Sequence, residues 1–295
     1  MTAVIFEVDP TLSSPADLNA DPTAALAAAN EFEASGTGLL TILPCSVCYL
    51  PYSKTTPKDI FTTIASSAAS LSPQVPISEN RKAILTSRFD PDLQEQELSR
   101  RPGQIEYIFE LGNWSATLTP EPGKKYGTML QMLQYPFSRG SVHVAPFGPK
   151  NDSSDSELEK PIINPRYYEG PGGEIDFEAM KACLDFGDQI TKTAPLSNIV
   201  TRRAWPPEGA GDEQLGEWLR ENTVTNWHHV GTCSMGGSEG KAAGVVDERL
   251  KVYEVGGLRV VDASIFPLQM NAHPQATIYA AAEKAAVMIL EDAGL

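Results

Sequence analysis

Basic residues are scarce in this chain. It has 23 Lys and Arg against 38 Asp and Glu, which gives a formal net charge of −15 at pH 7. Nucleic acids and anionic membrane surfaces are bound through clustered basic side chains that neutralise phosphates. The deficit therefore disfavours both kinds of partner, and its simplest consequence is solubility.

Long apolar runs are missing as well. No run reaches the roughly 18 residues that a membrane-spanning helix needs, so no span is predicted. The first residues, MTAVIFEV, lack the basic start and the long apolar stretch of a secretory signal. They resemble an interior strand instead. Sequons at Asn113 and Asn151 arise by chance in a chain of this length, and they leave the compartment open.

Cysteine is used four times, at Cys45, Cys48, Cys183 and Cys233. Cys45 and Cys48 form a C-x-x-C, but no second pair exists to complete a zinc site. A redox pair usually opens a helix after a strand, whereas prolines flank this motif. We therefore expect a structural or incidental role for the motif and no metal site.

The hydrophobic pattern predicts an α+β fold, an antiparallel sheet with flanking helices followed by a strand–loop–helix segment. The polar stretch 150–161 is expected to be a surface loop. Strands 127–136 and 139–146 are expected to form a β-meander. The predicted helices are 14–34, 57–71, 174–193, 211–223 and the terminal stretch from 274, and the further predicted strands are 104–111 and two within 243–267 around Gly256–Gly257.

Histidine occurs only four times, and two of the four are adjacent in the stretch NWHHVGTCSMGG. His143 lies in a predicted strand and is expected to be an ordinary sheet residue. His273 precedes Pro274, which favours an extended conformation, and it lies just before the free N–H groups of a helix start. A facing pair made of His273 and a histidine of WHHVGT could accept a hydroxyl proton and stabilise the alkoxide.

Four blocks in order resemble the glucose–methanol–choline (GMC) family of flavoprotein oxidoreductases. They are PFSRGSVHV (136–144), NWHHVGTCSMGG (226–237), AGVVDERLKVYEVGGLRVVDASIFP (243–267) and NAHPQATIYAAAEKAA (271–286). The resemblance is dense after residue 225 and loose before residue 130. It implies an FAD-dependent enzyme that oxidises the CH–OH group of a small-molecule alcohol.

The resemblance also implies roles for single residues. His228 matches the catalytic base of the family and His273 its partner, while His229 is expected to be structural. Asp262 and Ala263 match contacts to the pyrophosphate and ribityl chain of FAD. The backbone of Pro274 and Gln275 matches a contact to the pyrimidine edge of the flavin ring.

The dinucleotide-binding unit with which the family begins is not found in the sequence. No G-x-G-x-x-G follows a strand, so we expect the C-terminal portion of a GMC enzyme without its N-terminal Rossmann part. Residues 1–240 are predicted to form the substrate-binding domain, and 241–295 the segment that returns to the FAD-binding domain. A chain of this kind is expected to be incomplete for autonomous activity and could pair with a missing FAD-binding half.

Three alternatives remain open at this stage. The chain could be a non-catalytic binding module or split-enzyme partner, or a lyase-type member of the family. A hydrolase using Cys233 is disfavoured because GTCSMG does not match the G-x-S-x-G pattern. The sequence names neither the alcohol nor the acceptor that reoxidises the flavin.

Overall fold

A computed structural model describes residues 1–19, 21–42, 45–71, 78–90, 103–144 and 160–295. The chain forms two compact units, each assembled from three separate segments. Unit 1 contains 1–63, 94–134 and 178–226, and unit 2 contains 64–93, 135–177 and 227–295. The domain boundary predicted at residue 240 stays a prediction.

Unit 1 is built on a five-stranded antiparallel sheet in the order β2-β3-β4-β1-β7. The strands are β1 Thr2–Val8, β2 Cys45–Leu50, β3 Ile105–Leu111, β4 Lys125–Leu133 and β7 Val200–Trp205. The predicted strand at 104–111 is confirmed as β3. The first strand of the chain lies inside the sheet, between β4 and β7, which agrees with its apolar sequence.

The helices agree with most of the predictions, and their ends have local causes. Asp21 caps α1, because its carboxylate accepts the N–H groups of Thr23 and Ala24. The helix predicted at 14–34 therefore begins only after this cap, and a short 3-10 turn, Pro15–Asn19, precedes it. The helices are α1 Pro22–Ser35, α2 Tyr52–Thr55, α3 Lys58–Leu71, α4 Glu79–Ser87, α5 Gly173–Thr191, α6 Asp212–Asn222 and α7 Gln275–Ala293.

One part of the core of unit 1 lies between a face of its sheet and α5. The hydroxyl of Tyr107 on β3 donates to the carbonyl oxygen of Cys183 at 3.3 Å. The Tyr107 and Phe186 rings lie with centroids 5.6 Å apart. Cys183 is fully buried, and burial raises the pKa of its thiol to about 12, so this thiol is unreactive.

Unit 2 contains a second, two-stranded sheet. Its strands are β5 Ser141–His143 and β6 Ile162–Asn164, which pair antiparallel. The predicted β-meander is therefore wrong, because β5 pairs with β6 and not with β4. The chain turns away at Pro136 after β4, and the backbone N–H groups of Phe137 and Ser138 then donate to Asp176 instead of to a strand. Most of the loop predicted at 150–161 lies outside the described residues.

The predicted strand pair within 243–267 is also corrected. Only isolated bridges form there, between Val246 and Val252 and between Lys251 and Arg259. The Gly256–Gly257 turn is present, and Gly257 has a φ of +74°, a conformation that favours glycine. Compact turns replace the strands because the buried residues of this segment pack as one cluster with α7: Val246, Leu250, Ile265, Phe266 and Ala285.

The predicted α+β fold class is thus confirmed, with an antiparallel sheet and flanking helices. Among the residues that the structure describes, no helix is both long enough and apolar enough to cross a membrane.

Candidate active site

The structure brings His228 and His273 together within unit 2. Their ring centroids lie 4.9 Å apart, with an angle of 54° between the ring planes. His228 is half-buried and His273 is exposed. Two imidazoles at this distance can both approach one small polar group, so the facing pair expected from the sequence exists in the geometry. The roles of the two residues stay predictions.

Backbone pairing holds the segment that follows His228. The N–H of Cys233 donates to the carbonyl oxygen of Ser264 at 3.0 Å, and that of Met235 to Ile265 at 2.9 Å. Ser264 and Ile265 directly follow Asp262 and Ala263. The histidine segment and the predicted cofactor segment are therefore joined side by side, although they are far apart in sequence.

Asp262 and Ala263 form a compact turn. The Asp262 carboxylate accepts the N–H of Ser264 at 2.8 Å and caps the short 3-10 helix Ala263–Ile265. Asp262 is exposed, and Ala263 packs against the same apolar cluster as Ile278 of α7. The turn is held rigidly against α7 while its carboxylate faces solvent, a placement suited to contacting a polar cofactor.

Pro274 and Gln275 form the start of α7. Pro274 is buried at the N-cap position, and its carbonyl accepts the N–H of Ile278 at 2.9 Å. The N–H groups of the first helical residues have no acceptor within the helix, and Gln275, Ala276 and Thr277 are exposed. These donors can contact an electron-rich ring edge.

The residues present fit a flavin. Gly231 has a φ of +90°, which only glycine adopts without strain, so the backbone after the histidines turns where a larger residue could not. The backbone N–H groups at the start of α7 and the exposed Asp262 can supply polar contacts to a flavin. The small Ala263 lets the backbone approach it closely. The role of Asp262, Ala263, Pro274 and Gln275 in holding FAD stays a prediction.

The other two histidines, His143 and His229, are both exposed. His143 is exposed on the short strand β5, and His229 is exposed beside His228. Among the described residues, no group of three or more His, Cys, Asp or Glu side chains is arranged to hold a metal ion.

Arg81 and Tyr135 contact the segments that carry His228 and His273, and the sequence analysis identified neither residue. Arg81 Nη1 donates to Ser234 Oγ at 3.0 Å, and Arg81 Nη2 donates to the Met235 carbonyl. Burial lowers the pKa of the Arg81 guanidinium, and the nearby Glu239 carboxylate opposes this effect. Burial likewise raises the pKa of the Tyr135 phenol, while Arg88 and the backbone N–H of Asn271 oppose the rise. No local pattern marks these residues, because their contacts are distant in sequence.

Comparison with known proteins gives the family. The GMC oxidoreductase family profile matches residues 136–282. A dehydrogenase of Monascus purpureus is 37% identical over 163 residues, which cover 54% of this chain and 23% of that protein. A glucose oxidase of Penicillium chrysogenum is 34% identical over 161 residues, 53% of this chain and 25% of the oxidase.

The solved structures agree in fold. An FAD-dependent oxidoreductase from Chaetomium thermophilum superposes with a TM-score of 0.72 at 20% identity, covering 99% of this chain and 47% of its own. The matched parts thus span about a quarter of the curated relatives and just under half of this neighbour.

The matched relatives are a dehydrogenase and a glucose oxidase, and the solved neighbour is an FAD-dependent oxidoreductase. The chain belongs to the GMC oxidoreductase family and aligns with the C-terminal part of its larger members. The family predicted from the sequence is confirmed, and the predicted cofactor agrees with the FAD-dependent neighbour.

Proposed function

We propose that this chain carries the proton-accepting site of an FAD-dependent enzyme that oxidises the CH–OH group of an alcohol. The observation that carries the proposal is the pairing of His228 and His273, with ring centroids 4.9 Å apart. The curated relatives include a dehydrogenase and a glucose oxidase, and glucose is itself a donor with CH–OH groups.

The chemistry needs a base. A C–H hydride leaves an alcohol carbon readily only while the hydroxyl proton departs, and a neutral imidazole accepts a proton near physiological pH. His228 is the base in this proposal, since it is half-buried and therefore partly shielded from water. His273 donates a hydrogen bond to the same oxygen and fixes its position. FAD, when bound, supplies the hydride acceptor, N5 of its ring.

A lyase-type member of the family could use the same histidine pair. Both reactions remove the hydroxyl proton. The oxidoreductase then transfers a hydride from the same carbon to the flavin, whereas the lyase breaks the bond from that carbon to a leaving group and transfers no hydride. Anaerobic bleaching of the flavin by an alcohol is expected for the oxidoreductase and not for the lyase, so that measurement decides between the two.

A second candidate function is supported by the surface of the terminal helix. In α7, Tyr279 is 65% exposed, Val287 49% and Leu290 49%, and Ala285 is a buried residue of the same helix. Exposed apolar side chains in this number are typical of an interaction surface. The chain would then be the substrate-binding part of a split or longer enzyme, with an FAD-binding half as its partner.

Co-expression tests both candidates. The chain is purified alone and together with the N-terminal FAD-binding part of a GMC enzyme, and flavin content is measured after desalting. Flavin that remains with the chain alone and is bleached by an alcohol supports the first candidate. Flavin retained only in the presence of the second part supports the split arrangement, and its bleaching by an alcohol then supports the first candidate as well. No retained flavin in either preparation contradicts both.

A further inference from the structure

The helix α4 contacts the segment that follows His228 directly, and the residue that ends it reaches the loop of His273 through Tyr135, all within unit 2. Near its start, Arg81 donates to the buried Ser234 at 3.0 Å and to the carbonyl oxygen of Met235. Its neighbour Asn80 donates to Ser238 at 3.1 Å. These acceptors lie in the segment that follows His228.

The other end of α4 is linked through Tyr135 to the loop that precedes His273. Arg88 lies over the Tyr135 ring, 5.4 Å from its centroid. Tyr135 is buried, and its phenol oxygen accepts the backbone N–H of Asn271. Asn271 is separated from His273 by a single residue, so this contact fixes the backbone just before the imidazole.

The chemistry of these contacts suits a rigid support. A guanidinium presents its donors in a fixed planar fork, so two acceptors bound by one Arg81 are held at a set separation. Lysine has a single ammonium on a flexible stem and cannot reproduce that geometry. The segment that Arg81 binds is itself paired through Cys233 and Met235 with the turn that follows Asp262.

We propose that Arg81 and Tyr135 are positioning residues that set the distance and angle between the His228 and His273 rings. Arg81 holds the segment behind His228, and Tyr135, covered by Arg88, holds the loop before His273. This inference rests on the proposed function, in which the two imidazoles act on one hydroxyl. Neither residue contacts the reacting atoms in this account.

The test uses histidine side-chain NMR, because the chain has only four histidines to assign. In the unaltered chain we expect a nuclear Overhauser effect between the His228 and His273 rings, whose centroids lie 4.9 Å apart. Arg81→Met and Tyr135→Phe should weaken that effect and shift the signals of both rings. The exposed His143 should keep its chemical shifts. Arg81→Lys should restore the signals only in part.

The control is Arg202→Met in unit 1, which removes an ion pair with Glu7 of 2.8 Å. This substitution should leave all four histidine signals unchanged. If Arg81→Met fails to fold, Arg81→Lys and Tyr135→Phe carry the test. An unchanged ring-to-ring effect in the folded variants overturns the inference.

A second readout separates this inference from the proposed function. With flavin and an alcohol present, Arg81→Met should slow flavin reduction by up to about 100-fold with little change in KM. If Arg81→Met loses the contact between the two histidine rings but the unaltered chain oxidises no alcohol, the positioning role is supported and the proposed function is contradicted. Normal flavin reduction in Arg81→Met would overturn the positioning role.

Discussion

A proton-accepting imidazole must be neutral and must face the hydroxyl that it deprotonates. His228 and His273 differ in surroundings, since the first is half-buried and the second exposed. In the proposed reaction, His228 accepts the hydroxyl proton from this partly shielded position. The proposal assigns the more exposed His273 to hold the substrate oxygen by a hydrogen bond.

Replacing His228 should therefore stop the chemistry without removing the cofactor. In flavin-loaded enzyme, His228→Ala is expected to slow flavin reduction by about 10²- to 10⁴-fold, the usual contribution of general-base catalysis. His273→Ala should give a smaller decrease. The rates are measured by anaerobic stopped-flow absorbance, with His229→Ala as the control for the exposed neighbour. Normal reduction kinetics in His228→Ala would defeat the assignment.

Asp262 is expected to act on cofactor binding. Its carboxylate caps the turn Ala263–Ile265, so Asp262→Ala should loosen that turn by about 1 kcal/mol and lower the flavin-to-protein ratio after desalting. Asp262→Asn, which keeps a capping oxygen, separates the cap from the charge. Full flavin occupancy in Asp262→Ala would contradict the role of Asp262 in cofactor binding.

Asp176 gives a pH-dependent prediction. Burial raises the pKa of this carboxyl to about 6, although hydrogen bonds from Ser138 and Phe137 and the charge of Arg139 oppose the rise. Because the folded-state pKa lies above the unfolded value of about 3.9, its contribution to stability is complete below about pH 4 and is lost as the pH rises through about 6.

The free energy of unfolding should consequently fall by about 2 kcal/mol relative to Asp176→Asn between pH 4 and pH 7. Urea unfolding of both proteins across this range measures the difference. A difference that does not vary with pH would contradict the assigned shift.

At the level of elements, the start of α5 is closely packed. A Cβ on Gly172, the residue before α5, would lie 2.1 Å from Phe137 Cβ and 3.0 Å from its carbonyl carbon. Gly172→Ala is therefore expected to destabilise the chain by about 1–3 kcal/mol. Gly256→Ala is the matched control, because nothing lies within 4 Å of its added Cβ. Equal unfolding midpoints for the two variants would show that the contact relaxes freely.

Sequence patterns predicted the elements that depend on local periodicity and missed those that depend on distant partners. The helix at 57–71 and the strand at 104–111 were predictable from apolar spacing and flanking residues. The strand at 139–146 and the pair within 243–267 were overestimated, because β-branched residues favour strands wherever they occur. Their true partners, β6 and the cluster around Val246, carry no local signal.

The candidate site divides in the same way. His228, His273 and Asp262 were found through motifs that resemble a family, since those residues lie in dense local patterns. Arg81 and Tyr135 were not found, because each acts through a hydrogen bond to a segment far away in sequence. Side-chain positioning of this kind becomes visible only after folding.

At the scale of the whole molecule, a strong acidic charge accompanies an apolar terminal helix. The net charge of −15 keeps chains apart by mutual repulsion, whereas the exposed Tyr279 and Val287 of α7 favour association with an apolar partner surface. Charge thus opposes self-association, while α7 remains available for a specific contact.

The most direct test of the account is anaerobic alcohol reduction of flavin held by this chain. The chain is loaded with FAD, together with an FAD-binding half if it retains none alone, and mixed with a panel of primary and secondary alcohols. The account predicts that at least one alcohol bleaches the visible flavin absorption, and that His228→Ala keeps its flavin but is not bleached. Retained flavin that no alcohol reduces, or equal bleaching in His228→Ala, would contradict it.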